Sequence, residues 1–100
     1  MNKLILTLLI AAWPSATLLN ADEPPKPLGQ AHAHNDYYHK RPLLDALAHG
    51  FCSVEADVFL KNGSLLVGHF QFELREARSL EALYLAPLAK RVKANGGSVY

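Results

Sequence analysis

Three of the chain's five histidines, His32, His34 and His39, fall inside AHAHNDYYHK, residues 31–40. The stretch begins like a short strand and ends like a helix. Imidazoles at such a point can ligate a metal, move protons, or serve as ordinary polar loop residues. The segment SVEADVF, residues 53–59, adds a second feature. In a strand, Ser53, Glu55 and Asp57 share one face, and Val54, Ala56 and Val58 the other. Two carboxylates so placed in an apolar run raise each other's pKa, and burial adds to the cost. A divalent cation with oxygen ligands offsets that cost directly; a face open to solvent, or paired with arginines, is the structural alternative. His69, at the end of SLLVGH, residues 64–69, supplies another imidazole. If the strands run parallel, His34, Asp57 and His69 lie toward one rim. One histidine can then take a proton and the other give one, while a cation neutralises charge on an anionic substrate. Phosphodiester cleavage uses these functions together.

The elements that would hold these groups can be read from the pattern. QAHAH, residues 30–34, suits a short strand. Pro42 fits the first turn of a helix; Leu43, Leu44, Leu47 and Ala48 give that helix an apolar stripe, and Gly50 ends it. FCSVEADVF, residues 51–59, reads as one β-branched and aromatic strand. Residues 61–63, KNG, form a turn into the strand at 64–69. Residues 74–97 have helical spacing of Leu80, Leu83, Leu85 and Leu88, broken near Pro87 and stopped by Asn95-Gly96-Gly97. Glu73, Glu76 and Glu81, beside Arg75 and Arg78, read as a solvated face. Helix-linked, largely apolar strands indicate an α/β fold with parallel pairing.

Composition narrows the class. A net charge of +1 with no basic stripe gives no support to nucleic-acid binding, and 50% hydrophobic residues exclude a disordered chain. Residues 1–21, MNKLILTLLIAAWPSATLLNA, have the cation, apolar run and polar end of a secretory signal peptide. Their apolar run is short of the ~20 residues of a membrane span. An extracytoplasmic location, secreted or periplasmic, is expected. Residues 22–29, DEPPKPLG, form a stiff linker. Cys52, the single cysteine, allows no intrachain disulfide and is expected as a small buried hydrophobe.

AHAHND, SVEADV and LLVGH together resemble the glycerophosphodiester phosphodiesterase and phosphatidylinositol-specific phospholipase C-like superfamily. The longer string HNDYYHKRPLLDAL…SVEADVFL…LLVGH…SLEALYLAPL is similar to its divergent bacterial and fungal branch. The resemblance covers about residues 31–100. It implies a (β/α)8 barrel, with catalytic histidines at His34 and His69 and a Ca²⁺ or Mg²⁺ ion on Glu55 and Asp57. It implies a small-molecule phosphodiester or phospholipid substrate and a peripheral membrane contact. His32, Asn35 and Arg41 would border the substrate pocket, with Tyr37, Tyr38 and Lys40 as wall or as covering loop. Two departures from the family pattern stand out: Asn35 occupies the place of an arginine, and Phe70 that of an aspartate. No third metal carboxylate has a convincing counterpart. A barrel of this kind takes ~250 residues, so residues 30–100 would form only its N-terminal portion, about three strands. The chain is thus expected to be part of a longer protein, or a truncated gene product. Two other readings stay open. His-x-His resembles the paired transition-metal ligands of amidohydrolase-like and histidinol-phosphatase-like enzymes. A non-catalytic barrel that binds a phosphate ester is the third.

Overall fold

The computed structural model describes residues 23–100. The chain first runs as β1 (Leu28–Ala33), then through a 3-10 turn at Asp36–Tyr38, into helix α1 (Leu44–Ala48) and strand β2 (Phe51–Val54). β1 and β2 pair in parallel, His32 opposite Ser53 and Ala33 opposite Val54, after an irregularity between Leu28 and His32. Parallel pairing demands a crossover; the 3-10 turn and α1 provide it. Gly50, at φ 82°, turns the chain from α1 into β2, and its carbonyl accepts the Leu28 N–H at 2.7 Å. β1 therefore starts two residues earlier than Gln30, inside the proline-rich stretch. The expected signal peptide lies outside the described residues. Among those described, no helix is long and apolar enough to cross a membrane.

The run at 51–59 is not one strand. β2 stops at Val54, and β3 (Val58–Lys61) begins a new sheet with β4 (Ser64–Val67). Glu55, Ala56 and Asp57 bridge the two. The period of two survives across this break, which is why the sequence reads as continuous. β3 and β4 are antiparallel, with Val58 opposite Val67 and Lys61 opposite Ser64. The expectation of parallel strands fails here for a local reason. Asn62 and Gly63 both have positive φ, at 51° and 81°, the geometry of a two-residue hairpin turn whose twist matches its strands.

Helix α2 (Ala86–Ala94) follows a π-helical turn at Glu81–Leu85. Pro87 falls in the first turn of α2 and does not break the helix. The Ala86 N–H reaches back five residues to the Glu81 carbonyl, and this wider turn accommodates a proline that has no N–H to donate. The core comprises Tyr37, Leu43, Leu47, Val67 and Tyr84, with Val54, Ala56, Leu80, Leu83 and Leu88 packed against it. It thus joins the turn after β1, α1, β4 and the C-terminal helical segment. Cys52 is exposed, contrary to expectation, although alternation along β2 gives it the same face as Val54, which packs against the core.

Candidate active site

The site grows from two registers. In the first, the parallel pair sets His32 against Ser53. The next like-facing positions, His34 and Glu55, lie just past the strand ends. The Glu55 N–H bonds the Ala33 carbonyl at 2.9 Å, and the Asp36 N–H bonds the Glu55 carbonyl at 3.2 Å, so the ladder continues into the loops. Side chains follow the backbone. His32 Nδ1 lies 2.7 Å from Ser53 Oγ, and His34 Nδ1 lies 2.6 Å from Glu55 Oε2. Asn35 then turns the chain with φ 49°, the left-handed conformation that asparagine tolerates. This aims its N–H at Glu55 Oε2, 2.9 Å away.

The second register is the hairpin. Its ladder extends by the Gly68 N–H on the Asp57 carbonyl, 3.1 Å, which carries His69 alongside Asp57. His69 Nδ1 is 2.9 Å from Asp57 Oδ2. The Tyr37 hydroxyl lies at the junction, 2.9 Å from Asp57 Oδ2, 2.8 Å from Asn35 Oδ1 and 3.0 Å from His69 Nδ1. Asp57 accepts from both neighbours, so His69 carries its proton on Nδ1 and its Nε2 is the basic nitrogen when the ring is neutral. One chain of contacts therefore runs His34–Glu55–Asn35–Tyr37–Asp57–His69. Burial, then the hydrogen bond to Asp57 and its charge, push the Tyr37 phenol well above its ordinary value of 10.0; it stays a neutral donor.

A buried layer holds this chain in place. Asp36 is fully buried, and its Oδ2 accepts the Leu43 N–H at 2.6 Å and the Tyr84 hydroxyl at 2.8 Å. Oδ1 meets His39 Nδ1 at 3.2 Å. Arg78 Nη2 donates to the Tyr37 carbonyl at 2.6 Å. Glu73 Oε2 accepts the backbone N–H groups of His69 (2.8 Å) and Phe70 (3.0 Å), and these bonds, the one from Phe70 foremost, hold its carboxyl below the usual range. Glu73 and Arg78 are thus structural parts of the site rather than a solvated face.

Of the residues singled out in the sequence, His34, Glu55, Asn35, Asp57 and His69 lie in one network, and His32 lies beside it, a ring nitrogen within 4.8 Å of His34 and Glu55. Arg41 does not join: its Nε bonds Asp45 Oδ1 at 2.8 Å, and its N–H bonds Asp45 Oδ2. Sequence reasoning missed Asp36 and Tyr84 as supports and gave Tyr37 only a place in the wall. The one available signal was an aspartate–tyrosine pair, Asp36-Tyr37, directly after the histidines. Glu55 and Asp57 each commit one oxygen, Oε2 or Oδ2, to the histidine beside it. Among the described residues no hydrogen bond reaches the other oxygen of either carboxylate. Beside His69, Phe70 packs edge-on at 4.5 Å and stacks with Phe72 at 5.3 Å; both phenyl rings are exposed.

Comparison with known proteins adds an independent line. A family model described as an AIM6-like phosphodiesterase domain matches residues 24–98. Altered inheritance of mitochondria protein 6 of Eremothecium gossypii is 47% identical over 68 residues, covering 66% of this chain and 18% of that protein. Its homolog in Arthroderma benhamiae is 43% identical over 68 residues, covering 62% of the chain and 22% of the protein. The Saccharomyces cerevisiae protein of the same name (strain S288c) is 43% identical over 72 residues, covering 70% and 18%. The chain spans about a fifth of the length of these curated relatives. No solved structure matches it.

Proposed function

The chain belongs to the AIM6-like phosphodiesterase domain family, and from that premise we propose that its site hydrolyses phosphodiesters with His34 and His69 as the acid–base pair. The observation that carries this reading is the shared arrangement of the two imidazoles, each with Nδ1 on a carboxylate, His34 on Glu55 and His69 on Asp57. A histidine so held presents Nε2 outward, as a base when neutral and as an acid when protonated. In the reaction, one imidazole takes the proton of the nucleophile, a neighbouring substrate hydroxyl or water, as its oxygen bonds to phosphorus. The bond from phosphorus to the leaving oxygen breaks, and the other imidazolium protonates that oxygen. Ca²⁺ or Mg²⁺ on the uncommitted oxygens of Glu55 and Asp57 would supply charge neutralisation at the phosphate.

The finer reading places the chain in the glycerophosphodiester phosphodiesterase and phospholipase C-like superfamily, as the start of a (β/α)8 barrel. Support comes from the parallel β1–α1–β2 unit with its chemistry at the C-terminal ends of the strands, where barrel enzymes keep their sites. Exposed Phe70 and Phe72 beside His69 favour a phospholipid or other substrate with an apolar part, met at a membrane surface. Residues 1–21 support an extracytoplasmic location.

The test is hydrolysis of glycerophosphodiesters and lysophospholipids by the full protein, with and without chelator. Activity is expected, lost on chelation and restored by Ca²⁺ or Mg²⁺. His34→Ala and His69→Ala should each lower turnover about 10²–10⁴-fold. Full activity in either variant removes that histidine from the chemistry.

A further inference from the structure

Two imidazoles and a carboxylate converge at the end of the parallel pair in a way that hydrolysis does not require. Nitrogens of His32 and His34 and an oxygen of Glu55 all lie within 4.8 Å of one another. We propose that these three residues form a transition-metal site for a borderline ion such as Zn²⁺, distinct in kind from the hard-ion pair of Glu55 and Asp57.

The placement follows from the register. His32 and His34 share a face of β1 and its extension, and Ser53 and Glu55 share the matching face of β2, because His32 pairs with Ser53. Four like-facing side chains thus form a square at the strand ends, with imidazoles on one side. Two histidines and a glutamate are a known ligand set for zinc with an open fourth position; Ca²⁺ and Mg²⁺ take oxygen instead. Bonds of ~2.0–2.2 Å to zinc put tetrahedral donors about 3.3–3.6 Å apart, a short approach for groups already within 4.8 Å of one another. His34 and Glu55 are already in contact at 2.6 Å. Ser53 Oγ, on His32 Nδ1 at 2.7 Å, fixes that ring and leaves Nε2 as the ligating nitrogen, the outer-sphere hydrogen bond typical of metal-bound histidine. The His34 side chain is 74% exposed, so an ion can enter and keep a solvent position.

One consequence rests on the function proposed above. A zinc ion that takes His34 removes one of the two acid–base groups, so Zn²⁺ should inhibit hydrolysis where Mg²⁺ supports it. Binding itself does not depend on that reading and is measured without turnover. The full protein, free of any affinity tag and stripped by chelator, is titrated with Co²⁺ as a spectroscopic probe and with Zn²⁺ by calorimetry. One equivalent should bind, with the visible ligand-field absorption of low-coordinate Co²⁺, displaced by stoichiometric Zn²⁺ and by Mg²⁺ only in large excess, since Glu55 serves both ions. His32→Ala and His32→Gln should each weaken Zn²⁺ binding about 100-fold or more, and Ser53→Ala about 10–100-fold. His49→Ala, whose ring bonds the Asp45 carbonyl instead, should bind as the parent does. Far-ultraviolet circular dichroism checks that each variant is folded. Absence of both the Co²⁺ absorption and a Zn²⁺ isotherm overturns the proposal, as does unchanged affinity in folded His32→Gln. A protein that binds zinc in this manner yet hydrolyses no phosphodiester retains the site and loses the proposed reaction.

Discussion

The phenol of Tyr37 shows how one hydroxyl can join two halves of a site. It has one proton to give and three neighbours, Asn35 Oδ1, Asp57 Oδ2 and His69 Nδ1. Its ring is 2% exposed, so the hydroxyl cannot trade these partners for water without opening the core. It is a positioning residue: it joins the His34–Glu55 half of the site to the Asp57–His69 half. Tyr37→Phe keeps the ring and removes the link. The expected cost is about 1–2 kcal/mol of stability, from loss of the one proton that Asn35 and Asp57 share, read as a shift in the denaturation midpoint. Turnover should fall about 10–100-fold, the usual scale for an outer-sphere partner, with KM nearly unchanged because the side chain is buried. An equal fall in Tyr37→Phe and a distant core variant of the same stability loss would mark the hydroxyl as structural only. The residues proposed for the chemistry were legible because two carboxylates two positions apart in an apolar run need a compensating partner. Tyr37 was not, since a buried hydroxyl and a loop hydroxyl look alike in a sequence.

Among the elements, the α1–β2 junction depends on Gly50. A Cβ built there would lie 2.0 Å from the Lys26 carbonyl oxygen, at φ +82°. The proline-rich stretch leading into β1 passes directly over this turn, and the Leu28 N–H closes onto the Gly50 carbonyl. Gly50→Ala therefore combines a left-handed backbone cost of about 1–3 kcal/mol with displacement of the backbone before β1. Gly63 supplies the comparison, having φ +81° but nothing within 4 Å of its Cβ position. By denaturant unfolding, Gly63→Ala should cost about 1–2 kcal/mol and Gly50→Ala clearly more. Equal losses would mean that the segment before β1 does not pack where it is described. Gly50 as a helix terminator and Asn62-Gly63 as a turn were readable from local chemistry. The break between β2 and β3 was not. Alternation reports which face a side chain occupies, and it continues unchanged when a strand leaves one sheet to join another. Glu55 and Asp57 sit at that change of partner, which is how two neighbouring carboxylates come to serve two different histidines.

Across the whole molecule, tyrosine hydroxyls act as long-range ties, and this gives the fold a characteristic alkaline limit. All four tyrosines of the chain reach a distant partner: Tyr37 to Asp57, Tyr38 to Glu73, Tyr84 to Asp36, and Tyr100 to the Phe51 carbonyl at 2.6 Å. All four have pKa values raised above 10.0, with desolvation first among the causes. For Tyr37, Tyr38 and Tyr84 the hydrogen bond to a carboxylate comes second. The sign of the linkage is fixed by those shifts. The folded chain holds protons that the unfolded chain releases near pH 10, so the stabilisation is complete below that value and is lost as pH climbs from 10 through the folded values. A tyrosinate left on Tyr84 would face the fully buried Asp36 carboxylate, so ionisation and opening of the core should coincide. Absorbance of tyrosinate, followed against pH together with near-ultraviolet circular dichroism, should show little ionisation at pH 10. Above it, a steep step from buried Tyr37 and Tyr84 should coincide with loss of the tertiary signal, while exposed Tyr38 can ionise without it, and denaturant midpoints should fall over the same range. A gradual titration centred on pH 10 with the tertiary signal intact would show that these hydroxyls are free in water, and with them would go the buried layer that holds the two histidines in place.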